Sequence, residues 1–133
     1  MIEQTLSIIK PDAIERNLEN NIKNFFEKNN FKILKTKKVK VSKDEASEFY
    51  KVHQTKSFYG GLCNYLSSGP IVAMILEGEN AISKNRQLMG STDPKKAEEG
   101  TLRKMYGLSI DKNSIHGSDS IENAKIEINF FFK

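Results

Sequence analysis

The chain has 133 residues, of which 38% are hydrophobic and 29% are charged, and its formal net charge is +4. This length predicts one domain with one core over residues 1–133, and the short apolar runs exclude a disordered chain. No run approaches the roughly 18 apolar residues of a membrane span. The first residues lack a secretory-signal pattern, and Cys63 is the only cysteine, so the expected location is the cytosol.

The basic charge balance fits an anionic partner such as a nucleotide, a nucleic acid or a membrane surface. Lysines supply 18 of the 21 basic residues, and most of them are expected to be solvated surface. The three arginines, Arg16, Arg86 and Arg103, stand out because a planar guanidinium binds anions through two parallel hydrogen bonds.

The first predicted element is a strand at residues 4–9, which Pro11 ends. Asn17 is predicted to cap a helix with apolar positions at Leu18, Ile22, Phe25 and Phe26. A second strand is predicted at residues 31–41. Its many lysines indicate an exposed or edge position in the sheet.

Ser42 and Glu45 have the spacing of a capping box, which predicts the start of the next helix. That helix places apolar and aromatic residues on one face, namely Ala46, Phe49, Tyr50 and His53. A further helix carries Phe58, Leu62, Tyr65 and Leu66, and Gly69-Pro70 ends it. The six-residue apolar run 71–76 predicts a strand that is buried on both faces.

Asn80 is predicted to cap a helix whose inward residues are Ala81, Ile82, Asn85 and Leu88. Residues 90–114 lack periodicity except for one possible helical turn at 102–106, and such long irregular segments often have a function. A short strand at 114–116 and a helix opened by Asp119 follow, with Ile121, Ala124, Ile128 and Phe131 inward. The order of elements predicts a small α+β sandwich with helices against one sheet.

His116 is the first candidate for chemistry, because it lies between a strand end and a helix start. A largely neutral imidazole can attack phosphorus at pH 7. Gly117 would allow a sharp turn and the close approach of a ligand, and Ser118 and Asp119 offer capping oxygens. Glu127 lies two helical turns beyond Asp119, so it is a plausible partner for the other ring nitrogen. A structural or merely exposed histidine remains the alternative.

Four residues could bind phosphate, namely Lys10, Arg86, Thr92 and Arg103. Each of them also has a structural alternative, such as a solvated lysine or a salt-bridged arginine. The chain contains no Walker-type glycine-rich loop and none of the protein-kinase motifs. Cys63 and two distant histidines form no metal-binding motif.

The motif Asn-x-x-His-Gly-Ser-Asp-Ser at residues 113–120 resembles the active-site motif of nucleoside diphosphate kinases. Other segments match that family in order and spacing, and together they cover nearly the whole chain. They are Ile9-Lys-Pro-Asp12 with Arg16, Tyr50 with His53, 58–62, 68–70, 72–74, 77–78, 86–90, 92–94 and 100–103. With this resemblance, the predicted fold is a ferredoxin-like sandwich, a four-stranded antiparallel sheet covered by helices.

The resemblance implies a kinase that transfers the γ-phosphoryl group of a nucleoside triphosphate to a nucleoside diphosphate by a ping-pong mechanism. His116 would accept the phosphoryl group on Nδ1, and Glu127 would hold the imidazole. The phosphates would be bound by Lys10, Tyr50, Arg86, Thr92 and Arg103.

The resemblance also implies which residues contact the ribose and the base of the nucleotide. Lys10 and Asn113 would contact the ribose 3′-OH, and Phe58 would stack on the base in a slot that Leu62 and Ile110 line. Stacking does not depend on the hydrogen-bonding groups that distinguish one base from another, so broad base tolerance is expected. Mg²⁺ would arrive with the nucleotide phosphates rather than in a protein cage.

The family resemblance further implies a homo-oligomer, for which a hexamer is favoured over a tetramer, with residues 91–112 at subunit interfaces. The chain ends at Lys133, so no C-terminal arm is expected to stabilise the assembly. A nucleic-acid-binding protein, with lysines 35–40 as a phosphate-binding stripe, is the second hypothesis, and a catalytically silent subunit is the third. The presence of His116, Glu127 and Lys10 favours the enzyme.

Overall fold

A computed structural model describes residues 2–51, 54–55, 59–109 and 112–132. In these residues four strands form one antiparallel sheet, in the order β2-β3-β1-β4. The strands are β1 (Ile2–Ile9), β2 (Lys32–Val39), β3 (Ile71–Glu79) and β4 (Ile115–Gly117). The helices are α1 (Pro11–Glu15), α2 (Glu19–Lys28), α3 (Lys43–Phe49), α4 (Tyr59–Leu66), α5 (Ala81–Met89), α6 (Leu102–Tyr106) and α7 (Ile121–Phe131). The predicted four-stranded ferredoxin-like sandwich is confirmed.

The two central strands divide the core into two apolar clusters. β1 pairs with β3 along its whole length, and side chains alternate between the two faces of the sheet. Helices α1, α2, α5 and α6 cover the face of Ile9, Val72 and Met74, whereas α3, α4 and α7 cover the face of Leu6 and Ile8. Residues 71–76 are all buried, as the apolar run predicted, because both faces of β3 are covered.

β2 lies at the edge of the sheet, which confirms the position that its lysines predicted. Two of those lysines have structural partners. Lys37 Nζ donates to the carbonyl of Phe131 at 3.3 Å, at the end of α7, and Lys38 lies 3.8 Å from a carboxylate oxygen of Glu19. A cation near the last carbonyls of a helix is favourable, so the lysine stripe contributes to the fold as well as to the charge of the surface.

The prediction that Asn17 caps a helix was wrong, and helix α1 was missed. Pro11 is the first residue of α1, a position that proline favours because its missing N–H needs no partner there. Asn17 has φ 60° and follows the end of α1. The amides of Asn17 and Leu18 donate to the carbonyls of Ile14 and Ala13 (3.0 Å each), which is the Schellman arrangement that ends a helix.

The predicted positions of helices α3, α5 and α6 agree with the structure, with small differences in α5. The capping box of α3 and the short helix at 102–106 are confirmed. Asn80 is the N-cap residue of α5, but its φ is 50° and its side chain makes no capping bond. Leu88 is half-buried and packs against the core as predicted, and Met89 on the same helix is fully buried. Two residues that were predicted on helix faces, His53 and Phe58, lie outside the described residues.

The start of α7 differs from the prediction. Ser120, not Asp119, is the N-cap residue, and its Oγ accepts from the amide of Asn123 at 3.1 Å. Ile121 is 44% exposed rather than inward, because the packed face of this helix begins at Ala124. None of the helices in the described part of the chain has the length and apolar character that a bilayer crossing requires.

We expect Ser42→Ala to lower the free energy of unfolding by about 1 kcal/mol, because it removes half of the α3 capping box. Ser42 Oγ accepts from the amide of Glu45 at 3.0 Å, and Glu45 Oε1 accepts from the amide of Ser42 at 2.9 Å. Urea denaturation measures the change. Ser47→Ala is the matched control, because Ser47 Oγ donates only to a carbonyl within the same helix. Equal loss in both variants would show that the capping box contributes nothing.

Candidate active site

The position of His116 follows from the pairing of β4 with β1. His116 lies directly opposite Ile8 in this antiparallel pair, and opposite residues point to the same face of a sheet. That face is covered by α3, α4 and α7. The imidazole therefore lies between the sheet and helices α3 and α7. Tyr50 directly follows α3, and Glu127 lies on α7.

Glu127 lies against one ring nitrogen of His116. The distance from His116 Nε2 to Glu127 Oε1 is 2.9 Å, and the two side chains are 19% and 17% exposed. An ionised carboxylate only accepts hydrogen bonds, so this partner places the imidazole hydrogen on Nε2. Nδ1 then holds the lone pair of the neutral ring.

Ser118 is a second hydrogen-bond partner of Glu127. Its Oγ donates to the same Oε1 at 2.9 Å, and the amide of Leu6 donates to that Oγ at 3.3 Å. Because the amide donates to the hydroxyl, the hydroxyl hydrogen points to the carboxylate. The predicted capping role of Ser118 was wrong, since Ser120 caps α7 and the buried Ser118 orients the carboxylate instead.

Aromatic rings form the wall beside the imidazole. The ring centroids of Phe49 and Tyr50 lie 5.3 and 6.4 Å from that of His116, both in edge-to-face arrangements. Phe49 also contacts Phe130 and Phe131 of α7. Burial, followed by the charge of Glu127, raises the pKa of Tyr50 above its usual range, so the phenol keeps its hydrogen. The sequence placed Phe49 on the same helix face as Tyr50, but only as a core residue.

Lys10, Thr92 and Asn113 are brought together at the end of β1. Lys10 Nζ donates to Asn113 Oδ1 at 2.9 Å, and Asn113 Nδ2 donates to the carbonyl of Thr92 at 3.2 Å. Lys10 and Asn113 are buried, whereas Thr92 is exposed. Since the amide group of Asn113 bonds on both sides, it fixes the lysine relative to the loop that carries Thr92.

Arg103 is buried, and two backbone carbonyls hold its guanidinium. Nη1 donates to Gly90 O at 3.2 Å and Nη2 to Ile115 O at 2.9 Å, while the buried Nε has no partner among the described residues. Burial, followed by the charge of Arg86, lowers the pKa of Arg103 to about 10. Arg103 stays charged at pH 7, and neither arginine forms a salt bridge within the described chain. This arrangement is electrostatically suited to an anion.

Of the three residues that the resemblance assigns to the base, the structure describes one. Leu62 is half-buried and packs against the cluster that α4 covers. Phe58 and Ile110 lie outside the described residues. Arg86 is exposed on α5.

Gly117 has a different role from the predicted one. It belongs to β4, and only Gly90 and Gly100 among the described glycines have positive φ. A Cβ at Gly117 would lie 2.4 Å from Asn85 Nδ2 and 2.8 Å from Met89 Cε. On the side of the missing Cβ, the close approach is therefore made by helix α5. Over the residues that the structure covers, no three His, Cys, Asp or Glu side chains cluster as metal ligands would.

Comparisons with known proteins place the chain among the kinases, the enzymes that transfer phosphoryl groups. The family model described as nucleoside diphosphate kinase matches residues 3–133. A nucleoside diphosphate kinase of Persephonella marina is 54% identical over 98% of this chain and 94% of its own length. One of Campylobacter hominis is 56% identical over 98% and 96%. The chain belongs to the nucleoside diphosphate kinase family, as its motifs indicated.

Solved structures agree with this assignment. The crystal structure of the Aquifex aeolicus nucleoside diphosphate kinase superposes with a TM-score of 0.98 at 40% identity, and the match covers all of this chain and 96% of that one. The enzyme of Encephalitozoon cuniculi gives a TM-score of 0.94 at 37% identity, covering 98% and 88%.

We expect neutral His116 to be the Nε2–H tautomer, because Glu127 accepts from that nitrogen. The ¹⁵N chemical shifts of the imidazole in NMR spectra measure this directly. Glu127→Ala should shift the population toward a mixture of tautomers. Glu122→Ala, which removes an exposed carboxylate from the first turn of the same helix, should leave the tautomer unchanged. A dominant Nδ1–H form in the unmodified chain would contradict the assignment.

Proposed function

We propose that this chain transfers the γ-phosphoryl group of a nucleoside triphosphate to a nucleoside diphosphate by a ping-pong mechanism through phospho-His116. The observation that carries the proposal is the bond between His116 Nε2 and Glu127, which leaves the Nδ1 lone pair for attack on phosphorus. A carboxylate that accepts from the opposite nitrogen also stabilises the positive charge that develops on the ring.

In the first half-reaction the lone pair of Nδ1 attacks the γ-phosphorus. The bond between that phosphorus and the β,γ-bridging oxygen breaks, and the nucleoside diphosphate leaves with the electron pair. The hydrogen on Nε2 stays in its bond to Glu127. In the second half-reaction a terminal oxygen of the acceptor diphosphate attacks the same phosphorus, and the N–P bond breaks. The two half-reactions leave the enzyme unchanged.

Cationic and polar groups would neutralise the phosphates during both half-reactions. Arg103 and Arg86 provide adjacent positive charges without a carboxylate partner in the described residues. Tyr50 adds a donor beside His116, and Lys10 and Thr92 add donors at the end of β1. Positioning and charge stabilisation of this kind account for most of the catalysis of phosphoryl transfer.

Mg²⁺ enters this proposal as part of the nucleotide substrate. It would bridge phosphate oxygens, because Mg²⁺ retains water and binds few protein ligands at such sites. For the rest of the nucleotide, Lys10 and Asn113 would contact the ribose 3′-OH. Phe58, Leu62 and Ile110 would hold the base by stacking and apolar contact, which tolerates every base.

The decisive experiment incubates the protein with Mg²⁺ and ATP labelled on the γ-phosphate, and then adds GDP, CDP or UDP. We expect an acid-labile, base-stable phosphoenzyme, followed by transfer of the label to all three acceptors. His116→Ala should abolish the label and the transfer, while ATP still raises the melting temperature. His53→Ala should retain the label, which assigns it to His116. An acid-stable phosphoester would contradict the histidine mechanism.

We also propose that residues 1–133 act as one domain within a cytosolic homo-oligomer, with a hexamer favoured over a tetramer. Between α5 and β4 two apolar side chains are exposed, Met105 on α6 at 45% and Leu108 at 59%, and β2 is an edge strand. Such features are liabilities in a monomer and are often covered in assemblies.

Light scattering across a urea series tests the assembly. We expect a hexamer that dissociates to dimers before the subunits unfold. Substitution of Leu108 by Ser should shift the first step to lower urea, because it removes apolar surface, whereas Ser at the exposed Ile126 of α7 serves as the control. A monomer at micromolar concentration would overturn the assembly proposal.

A further inference from the structure

Two residues of the matching N-terminal segment, Asp12 and Arg16, have no role in the site described above. Asp12 is nonetheless only 6% exposed, and its carboxylate has three partners. Tyr65 donates its hydroxyl hydrogen to Oδ1, Ser114 Oγ lies 2.8 Å from Oδ2, and Arg16 Nη2 donates to Oδ2 at 3.0 Å. We call these four residues, Asp12, Arg16, Tyr65 and Ser114, the Asp12 network.

The Asp12 network is linked directly to the Lys10–Asn113 pair. Lys10 precedes Asp12 by two residues, and Asn113 directly precedes Ser114. The amide of Lys10 donates to the carbonyl of Ser114 at 2.9 Å, and the two side chains of the pair meet at 2.9 Å. Residues 10–12 and 113–114 are therefore joined by bonds from both backbone and side chains.

The backbone of Ser114 shows that this junction is constrained. Its φ is 76°, in the left-handed region that residues with a Cβ seldom occupy. Such a conformation persists only where the surroundings fix it, and it is concentrated at functional sites. Here the carbonyl of Ser114 accepts from Lys10, and its hydroxyl contacts Asp12 and Arg16 (2.8 and 3.1 Å).

Arg16 extends the Asp12 network to a further helix. Its Nε donates to the carbonyl of Asp12 at 3.1 Å, and its Nη2 also bonds to the carbonyl of Tyr106, the last residue of α6. Helix α6 carries Arg103. The planar guanidinium of Arg16 therefore binds other protein groups rather than being left for an anion. Arg16 also lines a cavity of about 770 Å³, whose lining does not include His116, Arg86 or Arg103.

We propose that Asp12 is a positioning residue for phosphoryl transfer, which holds Lys10 and Asn113 in the geometry that the nucleotide requires. This inference rests on the proposed function. Asp12 itself does not touch the reacting atoms. The Asp12 carboxylate is the group to which Tyr65, Arg16 and Ser114 all bond. Loss of this carboxylate should therefore free the segment before β4 from the end of β1.

The first test is the rate of His116 phosphorylation by saturating Mg-ATP in single-turnover measurements. Asp12→Asn should lower this rate about 10- to 100-fold, since a small misplacement of a binding group has effects of that size. Glu19→Gln is the matched control. It removes another carboxylate that pairs with a cation four residues later, Lys23 at 2.8 Å, at a position without contact to the site. A wild-type rate in Asp12→Asn, or an equal loss in Glu19→Gln, would overturn the inference.

A double-mutant cycle with Asn113→Ala separates positioning from general destabilisation. If Asp12 acts through the Lys10–Asn113 pair, the double variant should lose little more rate than the worse single variant. Losses that multiply would show that Asp12 acts elsewhere and would overturn the inference. Should Asp12→Asn be unfolded at the assay temperature, Tyr65→Phe takes its place in the cycle, because it removes only the hydroxyl that contacts Asp12.

Amide hydrogen exchange gives a readout that does not depend on catalysis. The Lys10 amide should exchange faster in Asp12→Asn than in Glu19→Gln, because its acceptor on Ser114 is released. Unchanged protection of Lys10 would overturn the inference whatever the activity. Absence of labelled His116 in the unmodified chain would overturn the proposed function instead, so the two failures are distinguishable.

Discussion

The short pairing of β4 with the end of β1 determines where the side chains of the candidate active site lie. Only three residue pairs form this contact, from Ser7–Gly117 to Ile9–Ile115. They place His116 on the face that α3 and α7 cover, and they bring Ser114 beside Lys10. The hydrogen bonds of Ser118 with Leu6 continue the junction in the other direction. A three-residue strand is stable here because buried side-chain bonds flank it on both sides.

Charge is distributed unevenly around this junction. On one side Glu127 is the carboxylate next to the imidazole. On the other side burial, followed by the nearby charge of Arg86, lowers the pKa of Arg103. Asp12, a carboxylate that is more deeply buried than Glu127, is hydrogen-bonded to its own partners. The side of the arginines therefore carries positive charge, which suits the phosphate binding proposed above, while the imidazole keeps its anionic partner.

The sequence predicted the elements whose signals are local. The apolar run of β3, the capping box of α3 and the helix at 102–106 depend on neighbouring residues, and all were confirmed. Helix α1 was missed because proline was interpreted only as a strand breaker. The Asp12 network was not predicted, since it joins residues about 50 and 100 positions apart that no periodicity connects. The motif resemblance, rather than residue patterns, supplied the expected roles in the site.

The missing side chain of Gly117 has a consequence for how this sequence can vary. Asn85 and Met89 of α5 occupy the space where a Cβ would lie, at 2.4 and 2.8 Å. The helix that rests on this bare backbone also carries Arg86. An added methyl group would therefore require the ends of the Asn85 and Met89 side chains to shift, at the contact between the strand of His116 and the helix of Arg86. Variation at position 117 is therefore limited by the side chains of Asn85 and Met89, which leave little room for a side chain there.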